Sequence, residues 1–537
     1  MKTLRNAVIG IFAGLILMIS CKKSDIALPK SEANIDSITS KYYEGYLKMY
    51  PLEATMQGDS RYNDLLSDNI SNEFISKEIE FYTDTQKKLK SIEYDDLSDE
   101  QKTVYDVLDY TLKDKIERYA YHPELLPFSQ FEGLPLDFPL LGSAEGNQPF
   151  KTTQDYDNWL KRIDAFVIWM NTAEKNFREG MKQNVVLPKK LVVKMIPQMH
   201  SEEIITEDFD KNIFYGPIKK MPKNFSTKDK EKYKILYQEA ISSKIIPAYQ
   251  KMGDFLEKEY LPKARNTDGI NALPNGKNIY EYYAKSWTTT NKTPEEINKI
   301  GLQQVAMLRA EMEKVKTQLG FKGSLEQFLT SLKTDKKAMP YKTPEEVIAA
   351  FNGILKKIEP KLPTMFTKFP KTPFEIRRTE KFREASASAE YKQGTPDGKR
   401  PGIFYTPIPD ATKYNVTNGF ESLFLHEAIP GHHFQVSLQQ ENTEIPKFMR
   451  FGWFGAYGEG WAHYTETLGP EFGLYTNPYQ KMGYLSDQML RAVRLVVDTG
   501  IHTGKMTREE AIKYYLSNIS DSEEGATAAI ERYMAIP

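Results

Sequence analysis

The stretch Leu423–Gln435 constrains this chain more than any other, because an apolar run there carries histidine and glutamate and is then interrupted by Pro-Gly. It contains His426, His432 and His433, three of only seven histidines in the sequence. Neutral imidazole beside carboxylate is the ligand set that divalent zinc prefers. The stretch therefore predicts a metal site built on a helix.

The spacing of these histidines does not fit one regular helix. In the common pattern H-E-x-x-H two histidines lie four residues apart on one face, but here residue 430 is proline. His432 is six residues from His426, about 600° around a helix, and His433 returns to the same face roughly 10 Å further along the axis. Proline clashes with the carbonyl four residues back, and glycine permits unusual dihedral angles. We therefore expect Pro430 and Gly431 to distort the helix and return one of the two later histidines to the metal.

An alternative interpretation is a core helix whose histidines are only hydrogen-bonded. It would leave the carboxylates of Glu427 and Glu459 in an apolar setting with no metal to offset their charge, which is costly. We therefore favour the metal site.

Three strings in the chain resemble one known family. They are His-Glu-Ala-Ile-Pro-Gly-His-His from residue 426, Gly-Glu-Gly-Trp-Ala from residue 458, and Arg-Ala-Val-Arg-Leu-Val-Val-Asp-Thr-Gly-Ile-His from residue 491. Together with Tyr-Pro-Leu-Glu-Ala-Thr from residue 50, they resemble the bacterial domain-of-unknown-function family numbered 885, which is grouped with the Glu-zincin metallopeptidases. The resemblance runs from about Ser40 to the end of the chain. It implies a large helical metallopeptidase-like domain with its active-site cleft between helical lobes.

The resemblance also implies the roles of individual residues. His426 and His432 would bind one zinc ion per chain, Glu459 would be its third ligand, and Glu427 would be the general base. The family motif, and not the geometry, selects His432 over His433. We place His433 in the second shell, where it would orient a ligand or face substrate.

Two other residues compete with Glu459 for the role of third ligand. His463 lies one helical turn after Glu459, and Glu466 lies two turns after it. We favour Glu459 because two histidines and one glutamate leave the open fourth position that a catalytic zinc needs. His463 is then expected in the second shell.

A catalytic mechanism follows from this ligand set. Zinc lowers the pKa of a bound water towards ~7. Glu427 would take its proton and hand it to the leaving nitrogen. The oxyanion needs a donor from the protein. His502 is our first choice, and Tyr464 or Tyr457 a weaker one.

Two arginines are candidates for binding substrate. Arg491 and Arg494 are three residues apart on a predicted helix, so that both could grip a substrate carboxylate. Internal salt bridges to Asp487 or Asp498 are an equal alternative.

Most of the chain is predicted to be helical. Thr or Ser followed three residues later by Glu or Gln forms candidate capping boxes that begin at Ser98, Thr293, Thr343 and Thr507. Apolar residues at alternating spacings of four and three predict one buried helix face. They are Trp159, Ile163, Phe166, Met170, Ala173 and Phe177. The fold class is therefore mainly α, with a small β element near the metal helix.

Two short segments are predicted to be extended, Phe374–Thr379 and Gly402–Thr406. Between them, Ala385–Arg400 has the composition of a loop. In Glu-zincin peptidases an edge strand before the metal helix pairs with substrate. Gly402–Thr406 is our candidate for that strand, with Tyr405 in contact with substrate, although it could equally serve the fold alone.

The N-terminus has the features of a bacterial lipoprotein signal. A short basic start and an apolar stretch precede Cys21, the only cysteine in the chain. We predict a signal peptide over residues 1–20, a lipid-anchored polar tether over 21–37 with Cys21 as the lipidated residue, and a helical zinc-peptidase-like domain over 38–537. The alternative is an ordinary secretory signal. The protein is thus expected at the bacterial cell envelope, anchored by its lipid, at the outer membrane or facing the periplasm.

The charge balance bears on partners. Lysine and arginine number 72 against 73 aspartates and glutamates, so nothing favours nucleic acid as a partner.

The predicted function is zinc-dependent hydrolysis of short peptides. The alternatives are a zinc hydrolase of another amide or ester and a catalytically silent envelope lipoprotein. Because the family continues past the equivalent of Glu531-Arg-Tyr533, we also expect either a fragment or a lost last helix after Pro537.

Overall fold

The computed structural model describes residues 34–379, 384 and 388–537. Of these described residues 67% are helical, and they contain one small three-stranded sheet, which confirms the mainly α class. Within the described ranges no helix is both long enough and apolar enough to cross a membrane. Cys21, the predicted signal peptide and most of the predicted tether lie outside these ranges. The first helix begins at Ile35, just inside the C-terminal end of that tether.

The α-helices of the N-terminal half are α1 (Ile35–Met49), α2 (Pro51–Met56), α3 (Asn72–Lys90), α4 (Asp99–Arg118), α5 (Leu134–Gly142), α6 (Thr153–Lys182), α7 (Lys189–Met199), α8 (Glu202–Ile205), α9 (Gly216–Lys219), α10 (Thr227–Ala240), α11 (Ile246–Phe255) and α12 (Gly276–Thr288). Those of the C-terminal half are α13 (Pro294–Gln318), α14 (Leu325–Leu332), α15 (Pro344–Ile358), α16 (Phe420–Glu427), α17 (His432–Glu441), α18 (Lys447–Arg450), α19 (Gly455–Thr467), α20 (Pro478–His502), α21 (Arg508–Leu516) and α22 (Glu523–Ala535).

The predicted capping signals mark real helix starts. Ser98, Thr293 and Thr507 each form a complete capping box, at the starts of α4, α13 and α21. Thr343 caps α15 by accepting from the backbone N–H of Glu346. The Glu346 carboxylate instead accepts from the N–H of Lys342, at 2.7 Å.

The predicted apolar face of α6 is confirmed as core. All six residues of that face are buried, and they pack with aromatic residues of the neighbouring helices. Phe166 stacks on Phe138 of α5 with ring centroids 4.0 Å apart. This large N-terminal core is separate from the helices that carry the predicted metal residues.

Helix α20 organises the C-terminal half. One side packs along α13, where Gly301 allows close approach, since a Cβ atom there would lie 2.8 Å from the Cβ of Leu495. Met489, Val493 and Val497 of α20 are fully buried in that core. The other side faces α16 and α19, and it therefore forms a rigid floor beneath the residues discussed below.

The sheet contains strands β1 (Phe374–Arg378), β2 (Glu390–Lys392) and β3 (Gly402–Thr406) in the order β1-β3-β2. Strand β3 pairs parallel with β1 and antiparallel with β2. Both predicted strands are confirmed. The prediction that Gly402–Thr406 is an edge strand was wrong, because β3 is central, and β2 lies inside the segment predicted to be a loop.

Candidate metal centre

The helix that carries the histidines is interrupted between α16 and α17, as Pro430 and Gly431 predict. Helix α16 ends at Glu427 and α17 begins at His432. Gly431 lies so close to the preceding turn that a Cβ atom would approach the carbonyl oxygen of His426 to 1.9 Å, so only glycine fits. Nε1 of Trp461 donates to the carbonyl of Pro430 at 2.8 Å and fixes the connection from the side of α19.

This break brings two histidines together. The rings of His426 and His432 have centroids 4.7 Å apart and stand nearly perpendicular. Helix α19 adds Glu459, whose Oε2 lies 3.3 Å from Nε2 of His426 and 3.8 Å from Nε2 of His432. The Glu459 side chain is 61% exposed while both histidines are buried. The group is therefore open to solvent on one side.

The geometry of the group fits a zinc ion. Ligand atoms bound at 2.0–2.1 Å with tetrahedral angles lie about 3.3 Å from one another. The observed separations of 3.3 and 3.8 Å are close to that value. Among the described residues the group contains these three side chains. Three ligands would leave the fourth position of a tetrahedral ion open.

Glu427 lies directly beside this group, at the end of α16. Burial raises the pKa of its carboxyl to about 7. His426 acts to lower that pKa, Glu459 acts to raise it, and a hydrogen bond from the backbone N–H of Tyr391 in β2 lowers it. A carboxyl with a pKa near neutrality can both take and give a proton, as a general base requires.

The far side of His426 is held by a buried carboxylate. Nδ1 of His426 lies 2.8 Å from Oε1 of Glu466, a fully buried residue of α19. Arg491 contacts the same oxygen at 2.6 Å, and the amide of Gln488 donates to the other oxygen at 2.8 Å. A carboxylate can only accept, so Nδ1 carries hydrogen, and Nε2 is the nitrogen that faces the group. Glu466, weighed as a ligand from the sequence, thus lies behind His426.

The pKa values of His426 and His432 are shifted in opposite directions by their surroundings. Burial lowers the pKa of His426, but its hydrogen bonds to Glu459 and Glu466 outweigh burial and raise the pKa to about 9. Burial together with the neighbouring His426 lowers the pKa of His432 to about 4. Nδ1 of His432 is buried and has no hydrogen-bond partner among the described residues. A cation here would replace the proton on Nε2 of His426.

We predict that Glu466→Gln weakens zinc binding about 10- to 100-fold, because a partner that orients a histidine ligand and increases its basicity typically contributes that much. The affinity is measured by competition with a chromophoric chelator. Glu471→Gln, the same change at an exposed position of the neighbouring segment, is the control and should leave the affinity unchanged. Equal affinities in the two variants, with intact thermal unfolding, would rule out the orienting role of Glu466.

His433 and His463, which were predicted to lie behind the ligands, occupy two different environments. His433 is buried against the sheet, with Nδ1 3.2 Å from the hydroxyl of Tyr391 and its ring 4.8 Å from that of Phe374. It is not a member of the group that contains Glu459. Nε2 of His463 lies 2.6 Å from the amide oxygen of Gln488, the residue that also binds Glu466. His463 therefore belongs to the network behind His426.

The predicted substrate arginines make internal contacts. Arg491 binds Glu466 and donates to the carbonyl of Asp487 at 2.9 Å. Nε of Arg494 donates to the hydroxyl of Tyr533 at 2.8 Å, and its guanidinium lies 5.2 Å from the centroid of that ring. The structure therefore favours the internal alternative for Arg491, although its partner is Glu466 instead of Asp487 or Asp498.

His502 does not occupy the predicted oxyanion position. Its Nδ1 accepts from the backbone N–H of Ile270 at 3.1 Å, and its Nε2 lies 2.9 Å from the carbonyl of Tyr533. Both nitrogens are thus used inside the core. It also lies eleven residues beyond Arg491 in α20, roughly 16 Å along the axis. This placement corrects the prediction and assigns His502 to packing between α20 and α22.

The predicted tyrosines are divided between the sheet and helix α19. Tyr405 lies in the central strand, opposite Arg377 and Glu390, so its predicted contact as part of an edge strand is not supported. Tyr464 and Tyr457 of α19 are 53% and 63% exposed. They lie on the helix that carries Glu459 and remain candidates for contact with substrate.

A second group of possible ligands lies far from this centre in the sequence. It consists of His200, Asp254 and Glu257. Both of its carboxylates are exposed, and Asp254 already pairs with Lys258 at 2.9 Å. We assign it no function.

The fold and this group define a mainly helical protein with a solvent-open His/His/Glu cluster. The model of a family described as bacterial protein of unknown function (DUF885) matches residues 51–537. The chain belongs to this family. No curated protein matches it.

Two solved structures are similar to this chain. One is a candidate lipoprotein from Colwellia psychrerythraea, 24% identical, with a TM-score of 0.84. The other is a candidate lipoprotein of unknown function from Shewanella oneidensis, 18% identical, with a TM-score of 0.69. Each match covers 94% of this chain and 89% of the other. At these identities the similarity shows the fold alone.

Proposed function

We propose that this protein is a zinc-dependent hydrolase that cleaves peptide bonds in short peptides, as in the Glu-zincin metallopeptidases. The observation that carries the proposal is the solvent-open group His426, His432 and Glu459 with Glu427 at its side. A purely structural metal site needs neither an open position nor a neighbouring base. The arrangement therefore favours catalysis over a silent binding role.

Each residue of the site has a distinct role in the proposed reaction. His426, His432 and Glu459 would hold the zinc ion, which supplies a lower pKa for water and polarises a substrate carbonyl. Glu427 accepts the proton of the attacking water and returns it to the leaving nitrogen. Burial of this carboxyl raises its pKa, which favours holding the proton between the two transfers. Glu466 keeps the ring of His426 in position throughout.

Strand β2 supports a peptide as substrate. It is one of the two outer strands of the sheet, and the backbone N–H of Tyr391 donates to Glu427. An extended peptide can add to such an edge through main-chain hydrogen bonds. The sequence predicted that Gly402–Thr406 would pair with substrate, and we now assign this role to Glu390–Lys392. Because the edge binds backbone groups, peptides are favoured over other amides and esters.

We also propose that the protein is anchored to the cell envelope by lipid on Cys21. The sequence before this cysteine has the form of a lipoprotein signal. Both proteins with similar structures are described as lipoproteins.

The decisive experiment uses the chain from Lys22 onward. Zinc content is measured together with cleavage of a mixed library of short peptides. We expect about one zinc per chain, cleavage that a chelator abolishes, and recovery when zinc is restored. Bound zinc with no peptide cleavage would contradict the peptidase, and hydrolysis of model esters under those conditions would favour the other amide or ester alternative.

A further inference from the structure

Trp453, in the connection between α18 and α19, keeps a large apolar surface in contact with solvent. It is 50% exposed, although tryptophan is highly buried on average. A single exposed apolar residue is common on protein surfaces and needs no explanation by itself. The position of Trp453 relative to the metal group is what gives it significance.

The ring of Trp453 contacts the candidate ligand His432. The two ring centroids are 5.7 Å apart, and the ring planes are inclined by 58°. His432 is itself buried. The indole therefore packs on a ligand of the metal group, while half of its own surface is left in solvent.

The same indole lies on the backbone of α19 next to Glu459. A Cβ atom at Gly458 would approach Cη2 of Trp453 to 2.2 Å, so only glycine leaves room for the ring in this position. Gly458 directly precedes Glu459, whose Oε2 lies 3.8 Å from Nε2 of His432. Trp453 thus contacts one ligand and the residue adjacent to another, and its exposed surface borders the metal group.

The backbone before Trp453 is fixed to α17. Nε2 of Gln439 donates to the carbonyls of Met449 and Gly452, at 2.6 and 2.9 Å. Gln439 lies roughly two turns after His432 in that helix. The indole is therefore attached to the helix that carries the ligand, and it is in place before substrate arrives. Binding to a surface that is already ordered costs less conformational entropy.

We propose that Trp453 binds a large apolar side chain of the substrate peptide, next to the bond that is cleaved, so that the enzyme prefers such residues there. This inference rests on the proposed function. Neighbouring Cα atoms of a peptide are about 3.8 Å apart. A ring 5.7 Å from that of a ligand is therefore within reach of a side chain that flanks the reacting carbonyl. Such a side chain leaves water on the indole, and an aromatic one gains further from ring contact.

The test uses two pentapeptides, one made of alanine alone and one with phenylalanine at the central position. Wild-type enzyme should cleave the second about 10- to 100-fold more efficiently, as expected for burial of a large apolar side chain. Mass spectrometry should locate the cleaved bond beside the phenylalanine. In Trp453→Ala the ratio of the two kcat/KM values should fall towards one, mainly through KM for the phenylalanine peptide, with unchanged zinc content. Trp453→Phe should restore part of the ratio.

A second pair of variants moves the ring without removing it. Gly458→Ala places a Cβ atom where the indole of Trp453 now lies, and it should lower the ratio. Gly460→Ala is the same change on the other side of Glu459, where nothing lies within 4 Å of a Cβ atom, and it should keep the full ratio. The zinc content of both variants separates displacement of Trp453 from disturbance of Glu459.

Binding without turnover supplies an independent readout. Zinc-loaded Glu427→Gln should bind the phenylalanine peptide about 10- to 100-fold more tightly than the alanine peptide in calorimetry. Adding Trp453→Ala to this variant should remove the difference. Thermal unfolding identifies any variant that fails to fold.

The outcomes separate this inference from the proposed function. Equal cleavage of both peptides by wild type, or a ratio that survives in Trp453→Ala, would overturn the inference and leave the peptidase standing. A preference for a central lysine would also overturn it, in favour of a cation on the indole face. Cleavage of neither peptide would contradict the proposed function, and the calorimetric comparison would then still support or overturn binding at Trp453.

Discussion

Replacing Glu427 by glutamine is expected to lower kcat for peptide hydrolysis by about 10²- to 10⁴-fold, the contribution of a general base. The amide has the same shape as the carboxyl but cannot accept the proton of the attacking water. Glu427 lies beside the three candidate ligands and is not one of them, so the zinc content should stay the same. Both quantities are measured on the same preparation, by steady-state kinetics and elemental analysis.

The control is Glu444→Gln, an exposed glutamate after α17, which should behave as wild type. A Glu427→Gln enzyme that keeps more than a tenth of the wild-type kcat would show that another group takes the proton. Loss of zinc together with activity would instead assign Glu427 to the ligand set.

The second large effect concerns the adjacent histidines of α17. His432→Ala should weaken zinc binding by more than the 10- to 100-fold typical of residues behind the ligands, because it removes one of three ligands. His433→Ala is the matched control one residue away. It should keep zinc affinity within about tenfold of wild type, since His433 packs on Phe374 and Tyr391. Zinc affinity is measured by chelator competition for both variants.

The reverse pattern, with zinc lost in His433→Ala and kept in His432→Ala, would contradict the geometry. Equal loss in both would indicate a folding defect, which thermal unfolding would reveal. His433→Ala is expected to be less stable than wild type because it opens a cavity beside the sheet.

Features that depend on local sequence could be predicted. Capping residues fixed the starts of α4, α13 and α21, since the interactions involve residues three apart. The apolar spacing of α6 identified its buried face. Pro430 and Gly431 predicted the break between the two metal helices. In each case the signal and its consequence lie within a few residues.

Features that depend on distant segments could not be predicted. Strand β2 is three residues long and two of them are charged, so nothing in its sequence separates it from a loop. The packing of α20 brings His502 to the backbone N–H of Ile270 and Arg491 to Glu466. Neither contact could be predicted from the local sequence. The spacing of Glu466, two turns after Glu459, was the one signal that tied it to the centre.

The break at Pro430 and Gly431 has a consequence for folding. In an unbroken H-E-x-x-H helix, local helix formation alone aligns both histidines. Here His426 and His432 meet only after two helices, the contact of Trp461 with Pro430 and the packing of α19 are all in place. The unfolded chain therefore has no partly formed site, and zinc would bind the native state alone. At a free zinc concentration 100 times Kd, that selectivity adds about 2.7 kcal/mol to the free energy of unfolding. Metal supply would then affect the stability of the folded protein as well as its activity.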